Sequence, residues 1–123
     1  MNAETLPQLT LEQLIEQAKN QPVDFSTTMQ VIDQYYSFTP TPFKNGGILN
    51  AANSNNGSCK LFAFAQRHHL DSQTTLNLFG DFYRIDVLQN PTGEDHQNIR
   101  NFIQFGWQGI EFTNQALTPL NED

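Results

Sequence analysis

Cys59 is the only cysteine among 123 residues, and the stretch "NNGSCKLFAF" puts it where an apolar, helical run begins. A thiol in the first turn of a helix, with Lys60 beside it, has surroundings that favour the thiolate. His96 and Asp95 would complete a Cys-His-Asp set, the imidazole as base and the carboxylate as its orienter. The residue types therefore admit a cysteine-dependent hydrolase or transferase. The competing reading is structural. Free cysteine is among the most buried residue types, and Phe62 and Ala63 continue its helical face. An Asp95 that caps a helix also turns its carboxylate towards backbone N–H groups and away from His96. The structural reading is favoured, and Cys59 is expected in the core.

Metal chemistry has less support. "RHHLD" offers His68, His69 and Asp71, but adjacent histidines on a helix point about 100° apart and rarely share an ion. No ligand pair has zinc-type spacing, so neither a metal nor a cofactor is expected. The candidates for binding are Asn45, Lys60, Arg84, Arg100 and Trp107. Six Lys and Arg serve the whole chain, so each cation inside an apolar helix should be paired. Asp81 stands three residues before Arg84, which is helical neighbour spacing. Arg100 has no acidic residue one turn away, and Asp86 is the expected partner. An ion-pair network is favoured there over an anion site.

These side chains need elements to position them. "TLEQLIEQAKNQP" reads as a helix, with Thr10 as N-cap, Gln13 as its capping-box partner and Pro22 as the stop. "DFSTTMQVIDQYYSF" reads as a second helix capped by Ser26, with Met29, Ile32 and Tyr36 on one face. From Phe38 to Ser58 the periodicity breaks, with two prolines, three glycines and five asparagines. Phe43, Ile48 and Leu49 should anchor this loop, its asparagines should bond helix ends, and a short ribbon about Asn45-Gly46 is compatible with the sequence. A third helix is expected over Cys59 to His69. A fourth, capped by Asp71 and broken by Gly80, runs on to Leu88. "NPTG" reads as a type I turn. Asp95 is expected to cap a fifth helix with Ile99, Phe102 and Ile103 inward and Gly106 at its end. Trp107, Ile110 and Phe112 read as a segment folded back over the core. The expected class is all-α: a compact bundle of about five helices with one long ordered loop.

Ten Phe, three Tyr and one Trp supply an aromatic core for a single domain. A net charge of −7 argues against nucleic acid and against an anionic membrane surface. The longest apolar run, Leu61 to Ala65, is far short of the roughly 20 residues of a membrane span. A lone cysteine cannot form an internal disulfide. "MNAETLPQLT" lacks the basic and apolar regions of a secretory signal, so a bacterial cytoplasmic location is expected.

Together, "SFTPTPFKNG", "NGSCKLFAFA", "LFGDFYR", "DVLQNPTGEDHQNIRNFI" and "GW" make the chain resemble the HopJ type III effector family of small bacterial proteins, from about Phe38 to Phe112. The resemblance implies one HopJ-like domain over 1–123, frayed at 1–8 and 118–123. It names a group and not a reaction. It also raises export through a type III apparatus, against which Glu4, Glu12, Glu16 and an early helix count, since such signals are acid-poor and disordered. The leading expectation is a non-enzymatic module that binds an unidentified partner protein. The alternatives are the hydrolase or transferase using Cys59 and His96, and a cytosolic small-ligand-binding protein using the asparagine-rich loop.

Overall fold

The computed structural model describes residues 9–120. The expected fraying at 1–8 and 121–123 lies outside the described residues. Helix α1 (Leu11–Asn20) starts as its sequence dictates. Thr10 Oγ1 accepts from the Gln13 N–H at 3.1 Å, and Gln13 Oε1 accepts from the Thr10 N–H at 2.9 Å. Helix α2 (Phe25–Tyr35) begins after Asp24, two residues ahead of the expected Ser26 cap. It stops at Tyr35, and Tyr36 opens strand β1 (Tyr36–Phe38).

The long loop then builds sheet. Strands β2 (Phe43–Asn45) and β3 (Ile48–Asn50) form a hairpin closed by Gly46-Gly47, with Gly46 at φ +63°. Helix α3 (Asn56–Arg67) follows, and then α4 (Ser72–Asn77), whose N-cap Asp71 accepts from the Thr74 N–H at 2.8 Å. Gly80, also at φ +63°, turns the chain into a π-helical turn, Phe82–Val87. A Cβ on residue 80 would lie 2.5 Å from the Val23 carbonyl oxygen, so only glycine fits there. The "NPTG" turn closes by a 2.9 Å bond from the Gly93 N–H to the Asn90 carbonyl. Helix α5 (Gln97–Phe105) ends at Gly106 and leads through a 3-10 turn, Gly106–Gly109, into β4 (Ile110–Phe112) and β5 (Leu117–Pro119).

The expectation of an all-α bundle is therefore overturned. One small antiparallel sheet has the order β3-β2-β4, with Phe43 opposite Phe112 and Asn45 opposite Ile110. The other pairs β1 with β5, Tyr36 facing Pro119. Each strand is three residues long, too short to show a period of two. Only the β2–β3 ribbon carried a local signal; the other pairings join residues far apart in the chain. Thr118, placed by its sequence in a frayed tail, lies opposite Ser37 in β5.

Phe62 is the centre of the core. Its ring meets those of Phe102 at 4.9 Å, Phe79 at 5.4 Å, Phe43 at 6.1 Å and Trp107 at 6.3 Å. Helix α3, strand β2, the turn after α4, helix α5 and the 3-10 turn thus converge on one side chain, in the offset and edge geometries that aromatic quadrupoles favour. Two expected core residues face outward instead: Leu49 is 71% exposed and Ile103 46%. Leu49 occupies the middle of an edge strand, where alternation sends Ile48 and Asn50 inward and Leu49 out.

At the end of α3, His68 Nε2 pairs with the Tyr36 hydroxyl at 2.8 Å, and its ring lies 4.7 Å from Phe64. Burial, reinforced by the neighbouring Arg67 charge, holds the His68 imidazole below its ordinary range. A histidine depressed in the folded state binds more protons unfolded, so its contribution is complete above the unfolded value. Stability should therefore fall as pH drops below about 6.5, towards the lower folded value. Urea unfolding across that window should show this slope, and His68→Gln should flatten it.

Candidate functional site

The polar centre of the molecule is built from asparagines. Asn50 and Asn98 pair their side-chain amides reciprocally: each Nδ2 donates to the other's Oδ1 at 3.0 Å. Asn45 Nδ2 donates to Asn98 Oδ1 at 3.0 Å and to the Asn98 carbonyl at 2.8 Å. Asn101 Nδ2 reaches the Asn45 carbonyl at 2.7 Å. All but Asn101 of these are buried, and the set bolts the β2–β3 hairpin to the first turn of α5. Asn45 Oδ1 is buried and has no hydrogen-bond partner among the described residues.

This network also decides what happens at the two nearest helix starts. Asn55, the N-cap of α3, makes no capping bond, because its Nδ2 donates to Asn50 Oδ1 at 2.7 Å. The N-cap of α5 is His96, in the left-handed region at φ +51°, and its side chain does not cap either. Its Nε2 sits 3.0 Å from the Asp86 carboxylate, and its ring stacks on Phe82 at 5.0 Å. The first-turn N–H groups of both helices lack side-chain caps, and those turns open on one cleft.

That cleft has a volume of about 470 Å³. Gly57 and Ser58 bring the start of α3 to it; His96, Gln97 and Asn98 bring the start of α5. Phe25, Phe79 and Phe82 supply an aromatic wall, and Asn50 and Asn55 a polar floor. Gly57 packs closely here: a Cβ at this position would lie 2.8 Å from the Phe25 ring and displace it. Two positive helix ends beside aromatic rings suit a ligand with an acceptor group at one end and an apolar body.

Of the residues proposed from sequence, only His96 lines this cleft. Cys59 is 2% exposed and its Sγ donates to the Thr41 carbonyl at 3.3 Å. Burial pushes the thiol up, outweighing the bond to Thr41, which acts the other way. His96 and Cys59 therefore bond to different partners. Asp95 does not cap α5. It takes Arg100 instead, whose Nη2 donates to its carboxylate at 2.6 Å, and this bond holds the Asp95 carboxyl below its usual range. Arg100 also donates to the carbonyls of Asp95, Asn90 and Asp86, so it ties the 86–95 segment to α5. Asp86 gives Arg100 only a backbone carbonyl, because its carboxylate faces His96; the expected Arg100–Asp86 ion pair is replaced by Arg100–Asp95.

The remaining candidates are tied elsewhere. Arg84 pairs with Asp81 at 2.8 Å, as its spacing suggests. Lys60 pairs with Asp33 at 2.8 Å and lies over Phe38. Trp107 Nε1 donates to the Leu70 carbonyl at 2.8 Å. No cluster of three or more His, Cys, Asp and Glu with metal-binding geometry is found among the described residues, nor a helix long and apolar enough to cross a membrane. The sequence singles out none of Asn50, Asn55, Gly57 and Ser58, whose only signal is the density of asparagine before α3. It offers Asn98 as the capping-box partner of Asp95, whereas the Asn98 side chain bonds Asn45 and Asn50 instead.

A sequence model described as "HopJ type III effector protein" matches residues 11–117. The chain belongs to the HopJ type III effector family. Among solved structures, one titled "Crystal structure of unknown function protein VPA0580" is 49% identical, with a TM-score of 0.88. The match covers 94% of this chain and 98% of that one. No curated protein matches. Half of the residues that line the cleft fall in "NGSCK" and "DHQNIRNF", two of the stretches that carry the resemblance to HopJ proteins.

Two measurements check this picture. Asn98→Ala removes an amide partner from both Asn45 and Asn50, leaving Asn45 the residue 98 carbonyl and Asn50 a long 3.5 Å bond to the Phe43 carbonyl, and should cost about 1–3 kcal/mol in urea unfolding. A cost near zero would mean that the amide network is dispensable. Cys59 in the native protein should react with a thiol reagent far more slowly than in urea, and His96→Ala should leave the rate unchanged.

Proposed function

We propose that this HopJ-family protein is a non-enzymatic interaction module that binds a carboxylate-bearing segment of a partner protein in the α3–α5 cleft. The observation that supports this reading is the diversion of both N-cap side chains, Asn55 and His96, away from their own helices. An incoming carboxylate can accept from backbone N–H groups of the α3 and α5 first turns while an adjacent apolar side chain covers Phe25, Phe79 and Phe82. The helix ends add a favourable field at short range. The chain's net charge of −7 opposes an acidic segment at long range. Salt screens the second effect more than the first, so affinity for such a segment should rise modestly with ionic strength. A hydrolytic role is less well supported, because the one thiol is enclosed and raised by burial.

Titration of isotope-labelled protein with acetate, and with short peptides ending in a free or an amidated C-terminus, tests the proposal. Saturable shifts of the residue 56–58 and 97–99 amides, larger for the free carboxylate, are expected. Ser58→Glu places a carboxylate in the first turn of α3, where the dipole tolerates it, and should weaken binding about tenfold or more. Equal binding of amidated peptides, or shifts confined to other surfaces, would overturn the reading.

A further inference from the structure

The chain holds two Asn-Gly pairs, Asn45-Gly46 and Asn56-Gly57. In such a pair the glycine N–H is sterically open to attack the asparagine side-chain carbonyl, which makes both pairs equally labile as sequence. The fold treats them differently. Asn45 is fully buried in the central strand of its sheet, with its amide nitrogen bonded to Asn98. The Gly46 N–H, the group that would attack, donates to the Gly109 carbonyl at 2.9 Å. Asn56 is the first residue of α3 and is half-buried, its amide meeting only Asn53 Oδ1 at 3.3 Å. The Gly57 N–H has no acceptor among the described residues, and Gly57 itself lines the cleft.

We propose that Asn56 is a spontaneous deamidation site of this protein and that the fold protects Asn45. Gly57 N attacks Asn56 Cγ and forms the N–Cγ bond, its proton passing to solvent. The Cγ–Nδ2 bond breaks and the amide leaves as ammonia. Water then opens the cyclic imide at either carbonyl, giving aspartate or isoaspartate. Water is the only co-reactant. Reaching the attack geometry at Asn56 requires fraying of one uncapped helical turn, whereas at Asn45 it requires opening the centre of the sheet and the amide network. Replacing Gly57 to relieve the lability would push aside the Phe25 ring, which lies 2.8 Å from where a Cβ would stand. The product carries a new carboxylate at the positive end of α3. It would then repel an acidic ligand, a consequence that rests on the proposed function, whereas the modification itself does not.

The test is to incubate the full chain at mildly alkaline pH, native and in urea, and digest it with trypsin. Both pairs fall on one peptide, Asn45–Lys60, and fragment-ion mass spectrometry assigns the amide-to-acid gain to either position. In the native protein the gain at Asn56 should outpace that at Asn45 on the order of tenfold or more. In urea the two rates should agree within about twofold, since the unfolded chain removes the protection. Asn56→Gln, with circular dichroism confirming the fold, should remove the native gain at that position. Equal native rates at the two positions, or a faster gain at Asn45, would overturn the proposal.

Discussion

The reciprocal amide pair of Asn50 and Asn98 joins residues 48 apart in sequence, and the arrangement of the site depends on it. It is buried, so its polar atoms must bond to each other or remain unsatisfied at considerable cost. Asn98 accepts from two asparagines on its one Oδ1 and returns a donor to Asn50, which fixes α5 against the β2–β3 hairpin. Because Asn50 also accepts from Asn55, the same pair sets where α3 begins. A hydrophobic contact in this position would hold the elements together without fixing their register.

The open helix ends follow from this arrangement. Asparagine is a good N-cap because its side-chain oxygen can accept from the first-turn N–H groups. In this HopJ-family chain Asn55 is oriented by Asn50, and His96 by Asp86 and Phe82, so neither side chain folds back on its own helix. The aromatic wall beside them belongs to the same packing that surrounds Phe62, since Phe79 contacts both Phe62 and Phe25. Core and cleft thus share side chains, which gives the cleft rigid walls.

Charge in the 81–100 region is organised by geometry more than by number. Arg100 is only 13% exposed at its side chain and collects three carbonyls and one carboxylate, acting as a strut through the "NPTG" turn. Gly93 leaves room for it, since a Cβ there would lie 2.7 Å from the guanidinium and force it to shift. With Asp95 held by Arg100, Asp86 is left to orient His96 at the cleft edge.

The sequence by itself determined the local features: the Thr10–Gln13 capping box, the Asp71 cap, the break at Gly80, the "NPTG" turn, the end at Gly106 and the Arg84–Asp81 pair. Each rests on residues within about one helical turn, where side-chain reach and backbone sterics suffice. The family resemblance was legible for a similar reason, because its motifs are short and fall in order. Tertiary structure decided everything that couples distant segments. The three-residue strands β4 and β5 have no pattern of their own and exist because β2 and β1 offer unpaired edges to the returning chain. Asp95 reads as a cap until Arg100 is placed beside it. Polar side chains have several partners within reach, and burial selects among them through contacts that only the folded chain brings together.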